Sequence, residues 1–245
     1  GHLGGEPPGG RLHGTPLPAE GRRDLVGNYV CEGTACKSGS ATGEGVCNGI
    51  GCDVNPYRNG FTDFYDTTGK VSSQKPLTVT TQFLELGGEL AEVRRTYHQD
   101  GKTFELPPVA MSGGKLVNSS LTDEYCEAEE GNYTNASAIP KFTSEHGGMR
   151  AMGRSLARGN VLVLSLWNDA TSNMLWLDGS LGNGTNPGDV RGPCGKRDES
   201  NDLKGASVTF SNFRVGDIGT TAAAAGKGPA AACILLVAIA ASFQW

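Results

Sequence analysis

The stretch Leu77-Thr78-Val79-Thr80-Thr81-Gln82-Phe83 is β-branched and half alternating, which predicts a strand with one buried face. A second strand pattern runs from Val93 to Gln99 and a third from Lys102 to Leu106, with only Asp100 and Gly101 between them. Asp-Gly between two strand patterns is typical of a tight β-hairpin turn. Neighbouring strands joined in this way predict an antiparallel sheet.

Further elements are predicted on the C-terminal side of this hairpin. Residues 161–167 (VLVLSLW) are a continuous apolar run of strand length, as expected for a strand buried in a sandwich. Shorter strands are predicted at 174–177 and 207–215, and a short helix at 147–157. One face of that helix carries Met149, Met152 and Leu156.

The composition agrees with many short strands. Glycine occurs 37 times, aromatic residues make up 7% and apolar residues 37% of the chain, which predicts Gly-rich turns rather than long helices. The net charge is −5 and no stretch is rich in Lys and Arg, which argues against nucleic acid as a partner. A neutral polymer or a small ligand is compatible with such a surface.

The two ends of the chain differ from its middle. Residues 1–25 are rich in Pro and Gly, as in GGEPPGG at 4–10, and we expect them to be disordered. Residues 221–245 form an Ala-rich linker and an apolar tail at 230–243, shorter than the about 20 residues of a membrane-spanning helix. Three interpretations of the tail stay open: the hydrophobic part of a GPI-anchor signal, a membrane-embedded helix or an unstructured terminus.

Sequons predict secretion. Four Asn-X-Ser/Thr sequons begin at Asn118, Asn132, Asn135 and Asn183. Together they predict a secreted, extracellular glycoprotein, tethered to a membrane if the tail is an anchor. Seven cysteines are present, and an odd number leaves at least one cysteine without an intramolecular disulfide partner.

Several motifs follow one another through the middle of the chain. They are 31–36 (CEGTAC), 51–58 (GCDVNPYR), 78–83 (TVTTQF), 125–130 (YCEAEE), 161–178 (VLVLSLWNDATSNMLWLD), 190–194 (VRGPC) and 208–212 (VTFSN). On these motifs, residues 26–220 resemble the C-terminal part of the catalytic domain of the glycoside hydrolase family 7 cellulases. The resemblance implies an all-β fold, an antiparallel β-sandwich of the concanavalin-like jelly-roll type, which is incomplete in this chain.

The resemblance implies a binding site for cellulose or another β-1,4-glucan chain, with no cofactor and no metal. Trp167 and Trp176 correspond to tryptophans that stack on glucosyl units on either side of the cleavage point. Polar groups on the product side correspond to Asp53, Arg58 and Arg191. Without the resemblance, the tryptophans would be read as core aromatics and the charged residues as surface ion pairs. A product-side arginine expected within 41–46 (ATGEGV) is absent, which weakens the prediction of product binding.

The resemblance also implies two disulfides, Cys31–Cys36 and Cys52–Cys126. Cys47 and Cys194 correspond to cysteines whose family partners do not occur here, and Cys233 has no counterpart, which accounts for the odd count. The spacing leaves open a zinc site formed by the first four cysteines, Cys31, Cys36, Cys47 and Cys52. The predicted secretory route favours disulfides.

Family 7 enzymes carry two catalytic carboxyl groups on one strand, in Glu-Met-Asp-Ile-Trp-Glu-Ala-Asn, and no such motif occurs in this chain. Retaining glycosidases need both groups, one as nucleophile and one as acid/base. The acidic residues between 123 and 130 correspond to a loop beside a disulfide and are no substitute. Back-translation of residues 1–7 in a shifted frame permits Met-Asp-Ile-Trp-Glu-Ala-Asn, so we hypothesise that residues 1 to about 20 are an out-of-frame translation of the catalytic strand.

The predicted function is that of a family 7 retaining hydrolase of β-1,4-glucan, with cellobiohydrolase action favoured over endoglucanase action, in a chain that lacks the catalytic carboxylates. The alternative is a non-catalytic carbohydrate-binding remnant. We expect a monomer. We also expect poor soluble expression, because an incomplete sandwich exposes strand edges and core faces.

Overall fold

A computed structural model describes residues 52–57, 59–66, 69–72, 74–130, 143, 147–159, 162, 164 and 207–218 of the 245-residue chain, and the backbone of residues 37–38, 47–48 and 236–244. The predictions for residues 1–25, for the strand at 174–177 and for most of the run at 161–167 lie outside the described residues.

Among the described residues, one sheet of five strands contains all the long strands. These are β5 (Leu77–Leu86), β6 (Glu89–Gln99), β7 (Lys102–Phe104), β10 (Ser207–Arg214) and β11 (Leu236–Gln244). Their order in the sheet is β10-β11-β5-β6-β7, and every neighbouring pair is antiparallel. The prediction of an all-β, antiparallel architecture is therefore confirmed.

Short elements surround this sheet. Two-residue strands form three small pairs: β1 (Lys37–Ser38) with β2 (Cys47–Asn48), β3 (Tyr65–Asp66) with β4 (Val71–Ser72), and β8 (Val109–Ala110) with β9 (Leu116–Val117). A 3-10 turn covers Ser112–Gly114, and two helices follow, α1 (Asp123–Glu130) and α2 (Gly148–Ala157).

The β5–β6–β7 meander forms because alternate residues are apolar and both turns suit left-handed backbone. Val79 pairs with Tyr97 and Phe83 with Val93, so the buried side chains of β5 and β6 meet on one face. Asp100 and Gly101 have φ angles of 51° and 72°, and positive φ at both central residues is the requirement of a type I′ hairpin turn. The strand and hairpin predictions are confirmed, with β7 ending at Phe104 instead of Leu106.

Helix α2 packs against β6, and the prediction of a helix here is confirmed. Met149 and Met152 are 2% and 5% exposed, and Leu156 packs against the same core cluster. Gly153 allows the close approach, because a Cβ atom at this position would lie 2.6 Å from the Cβ of Leu90 on β6.

Two core clusters share the side chain of Phe61. The first surrounds Tyr125 and Cys126 of α1 and includes the buried residues of α2. The second lies under β5 and β6 and contains Phe64, Val71, Leu77, Val79 and Tyr97. Gln99 joins the second cluster to β4, since its side-chain amide accepts a hydrogen bond from the Ser72 N–H (2.8 Å) and donates one to the Ser72 carbonyl (2.9 Å).

The structure corrects two predictions about local structure. Residues 123–130 form helix α1 rather than a loop: the Tyr125 N–H donates to Thr122 Oγ1 (3.0 Å) and two acidic residues occupy the first turn, where the helix dipole favours negative charge. In the run at 161–167, only Leu162 and Leu164 are described, and neither belongs to a strand. Leu162 is 59% exposed, so the prediction of burial is wrong at this residue.

Part of the apolar tail forms a strand and not a membrane-embedded helix or an unstructured terminus, while the GPI-anchor interpretation stays a prediction. Residues Leu236–Gln244 form β11, which pairs with β10 on one side and with β5 on the other. An apolar run rich in small and branched residues can take this place because the neighbouring strands supply backbone partners on both sides. Among the described residues, no helix is long and apolar enough to cross a membrane.

Candidate functional site

The first two predicted site residues, Asp53 and Arg58, lie between residues 52 and 61. We call this stretch the 52–61 loop; the structure describes all of it except Arg58. A disulfide between Cys52 and Cys126 attaches its first residue to helix α1, with an S–S distance of 2.06 Å and a Cα–Cα distance of 5.7 Å. This predicted pair is confirmed. The zinc alternative is wrong for Cys52, because a sulfur in a disulfide is not available as a thiolate ligand.

Backbone hydrogen bonds fold the far part of this loop into a compact unit. The N–H of Asn59 donates to the carbonyl of Asn55 (3.1 Å), that of Gly60 to Tyr57 (3.0 Å) and that of Phe61 to Pro56 (2.9 Å). Gly60 has a φ of 87°, a conformation that side chains other than glycine rarely adopt. The loop is therefore ordered by its own backbone in addition to the disulfide.

Tyr125 of α1 holds the same loop through its hydroxyl group. The side chain is 0% exposed, and its Oη atom accepts a hydrogen bond from Asn59 Nδ2 at 3.0 Å. The backbone carbonyl of Asp53 lies 3.5 Å from the same Oη, and Asn59 Oδ1 lies 3.4 Å from it. Consecutive residues of one helix, Tyr125 and Cys126, thus attach both parts of the 52–61 loop.

Of the five predicted substrate-binding residues, the structure describes Asp53. It follows Cys52 directly and is half-buried. Arg58 lies between Tyr57 and Asn59 in the sequence but outside the described residues. The other three, Trp167, Trp176 and Arg191, also lie outside, so their roles stay predictions.

The remaining cysteine and glycosylation predictions are only partly within the described residues. Cys31–Cys36 lies outside them, as do Asn132, Asn135 and Asn183. Asn118 is described and exposed, following β9. Among the described residues, no group of three or more His, Cys, Asp or Glu side chains could hold a metal ion.

The acidic residues of α1 have structural partners. Asp123 Oδ1 accepts a hydrogen bond from the Met149 N–H at 2.7 Å, which satisfies a free donor at the start of α2. Glu124 forms an exposed ion pair with Lys115 at 2.9 Å. Glu129 is 8% exposed, with its Oε2 atom 3.7 Å from Cys52 Sγ.

One basic group on β6 has a shifted pKa. Hydrogen bonds to Glu92, at 2.8 and 2.9 Å, raise the pKa of the Arg94 guanidinium, while partial burial opposes the shift. The charges of Glu92 and Glu105 add to the increase. An arginine paired in this way stays fully protonated. Arg94 therefore forms an ion pair with Glu92 on the surface of the sheet and has no acid–base role.

Analysis of the sequence missed Asn59 and Tyr125 as residues that organise the site. A buried tyrosine is normally read as a core residue, and its partner Asn59 is 66 residues away. The local signals are that Tyr125 begins the motif at 125–130 and directly precedes Cys126, whose disulfide partner leads into the loop.

Comparisons with known proteins place these features in a family. Residues 16–222 match Glycosyl hydrolase family 7. Exoglucanase GH7B from Limnoria quadripunctata is 39% identical over 199 residues, which cover 78% of this chain and 44% of that protein. The crystal structure of a GH7 family cellobiohydrolase from Daphnia pulex has a TM-score of 0.55 and 37% identity, covering 67% of this chain and 38% of that one.

An endoglucanase also resembles this chain. The structure of endoglucanase I complexed with cellobiose has a TM-score of 0.55 and 35% identity, covering 72% of this chain and 39% of that one. The chain thus spans less than half the length of each of these relatives. The match over residues 16–222, together with the Cys52–Cys126 pair and the antiparallel sheet, shows that the chain belongs to glycosyl hydrolase family 7.

Proposed function

We propose that this chain is the glucan-binding part of a family 7 cellulase that acts on β-1,4-glucan. The observation that carries the proposal is the 52–61 loop, which bears Asp53 and Arg58 and is attached to helix α1 by the disulfide and by Tyr125. A sugar chain has many hydroxyl groups, and fixed donors and acceptors select it better than mobile ones. Trp167 and Trp176 would add stacking faces for the glucosyl rings.

Cellobiohydrolase action is our preferred form of this activity. An exoglucanase and a cellobiohydrolase are among the relatives, and an endoglucanase is as similar in structure. The reaction would proceed with retention, because two carboxyl groups about 5–5.5 Å apart serve as nucleophile and acid/base in such enzymes. Arg191, Arg58 and Asp53 would bind the product-side sugars.

By itself, we propose, the chain binds glucan and does not cleave it. A Glu-x-Asp-x-x-Glu motif occurs nowhere in the 245 residues. Asp123 on α1 accepts a hydrogen bond from the Met149 N–H and Glu124 pairs with Lys115, so both side chains have structural partners. A non-catalytic carbohydrate-binding role is the corresponding alternative to an enzyme. We further propose a secreted monomer with glycans at the four sequons, and a tail whose use as an anchor is still to be tested.

Binding and hydrolysis measurements separate these roles. The full chain, produced through a secretory pathway so that disulfides form, would be titrated with cellotetraose by calorimetry and incubated with a chromogenic cellobioside. We expect saturable binding without release of the chromophore. Asp53→Ala should weaken cellotetraose binding. Asp63 is exposed and lies beyond the loop, so Asp63→Ala should leave binding unchanged.

The outcomes discriminate between the hypotheses. Hydrolysis with retained anomeric configuration would show that the chain carries its own catalytic groups and would overturn the non-catalytic part. Absence of both binding and hydrolysis would overturn the glucan-binding part.

A further inference from the structure

The 52–61 loop is attached to helix α1 at two separate points. The disulfide fixes Cys52, which begins the loop. The second attachment, at the hydroxyl of Tyr125, reaches Asn59 near the other end of the loop and the carbonyl of Asp53 near its beginning. We propose that Tyr125 is a positioning residue, whose hydroxyl sets the orientation of Asp53 toward a bound glucan.

The disulfide alone does not set this orientation. It holds Cys52 alone, and the packing of Phe61 against both core clusters is an apolar contact without the directionality of a hydrogen bond. The backbone hydrogen bonds from Asn59, Gly60 and Phe61 make the far part of the loop one unit. Fixing Asn59 therefore fixes the unit that these bonds form.

The hydroxyl of Tyr125, and not only its ring, is required for this role. The side chain is 0% exposed, so water does not replace a lost partner at Oη. As acceptor, Oη receives the hydrogen of Asn59 Nδ2 at 3.0 Å. As donor, it has two oxygen atoms within reach, Asp53 O at 3.5 Å and Asn59 Oδ1 at 3.4 Å. Both capacities of the hydroxyl are thus directed at the loop.

This inference rests on the proposed glucan-binding function for its ligand, but its structural part can be measured without any ligand. Tyr125→Phe removes one oxygen atom and keeps the ring that fills the core. Tyr97→Phe is the matched control, since Tyr97 is 2% exposed in the second core cluster and its ring packs against Phe64 and Tyr65.

The experiment measures hydrogen exchange and cellotetraose affinity on the full chain. In Tyr125→Phe, we expect the amides of Asn59, Gly60 and Phe61 to exchange about 3- to 10-fold faster, and the Kd for cellotetraose to rise by a similar factor. In Tyr97→Phe, the Kd for cellotetraose should keep its wild-type value. The exchange of the loop amides should do the same once any change in global stability has been subtracted. The control isolates the loop effect from a general loss of core packing.

A double-mutant cycle with Asn59→Ala provides the second test. If the hydroxyl acts through Asn59, the double variant should bind no more weakly than the weaker single variant. Unchanged loop exchange in Tyr125→Phe, wild-type affinity despite faster exchange, or additive effects in the cycle would each overturn the proposal. If the wild-type chain does not bind cellotetraose, the proposed function fails, and loop exchange still decides whether Tyr125 holds the loop.

Discussion

The β5–β6–β7 meander and the 52–61 loop are ordered by different kinds of contact. In the meander, partners such as Gln99 and Lys102 are close in the sequence, and the turn residues between them determine the pairing. In the loop, the decisive contacts reach residues 66 and 74 positions away. Local sequence therefore specifies the β5–β6–β7 meander, whereas the candidate site depends on long-range contacts that form only in the folded chain.

Removing the disulfide should have the largest effect on stability, and the 52–61 loop should respond more strongly than the meander. We expect Cys52→Ala combined with Cys126→Ala to lower the free energy of unfolding by about 4 kcal/mol, because the cross-link closes a loop of 74 residues in the unfolded chain. Urea denaturation measures the loss. Hydrogen exchange at native conditions should show the 52–61 loop opening while β5 and β6 stay protected; equal loss of protection in both would contradict the distinction.

Gly153→Ala tests a long-range contact made by the meander itself. The new Cβ would lie 2.6 Å from the Cβ of Leu90, so helix α2 must move away from β6, at a cost of about 2 kcal/mol. Thermal denaturation measures this change. Arg154→Ala, on an exposed position of the same helix, is the control and should change stability by less than about 0.5 kcal/mol. Unchanged thermal stability in Gly153→Ala would mean that helix α2 can shift on the sheet without cost.

Gly101→Ala tests the local part of the comparison. Its φ of 72° is strained for a side chain with a Cβ, and we expect a loss of about 1 kcal/mol, since the space around the residue is open. The same change one residue later, Lys102→Ala, should have little effect. Chemical denaturation of both variants measures the free energy of unfolding. Equal values for the two would show that the positive φ of Gly101 does not contribute to the stability of the hairpin.

The exposed ion pair between Lys75 and Asp100 should contribute least. Its atoms are 2.6 Å apart, but the side chains are 54% and 61% exposed, so solvent screens the attraction. Lys75→Met should change the free energy of unfolding by less than about 0.5 kcal/mol, and the difference should vanish in 1 M salt. A loss above about 1 kcal/mol would show that long-range charge contacts also stabilise the meander.

Much of the sheet was predictable from the sequence, and parts of its surroundings were not. The strand at Leu77, the Asp100-Gly101 turn and the apolar face of α2 each follow from spacing within a few residues. The helix at Asp123–Glu130 was expected as a loop, because its caps and its contact with Met149 are not visible in an acidic octapeptide. The tail strand β11 was missed because its partners, β5 and β10, lie far away in sequence.

The candidate site divides in the same way. The pair Cys52–Cys126 followed from the family resemblance, and the structure confirms it. Tyr125 begins the motif at 125–130, but that motif gives no role to its hydroxyl, because a buried tyrosine and a loop asparagine acquire this role only once they meet.

The sequence by itself determined the family, the antiparallel β5–β6–β7 meander and the register of its hairpin, because turn residues and alternating apolar side chains act over a few positions. Only the tertiary structure decided how Asp53 is held. The hydroxyl of Tyr125 is buried and has its partners on a loop more than 60 residues earlier. Burial strengthens such a hydrogen bond and makes its loss costly. Burial is a property of the packed chain and not of any segment of it.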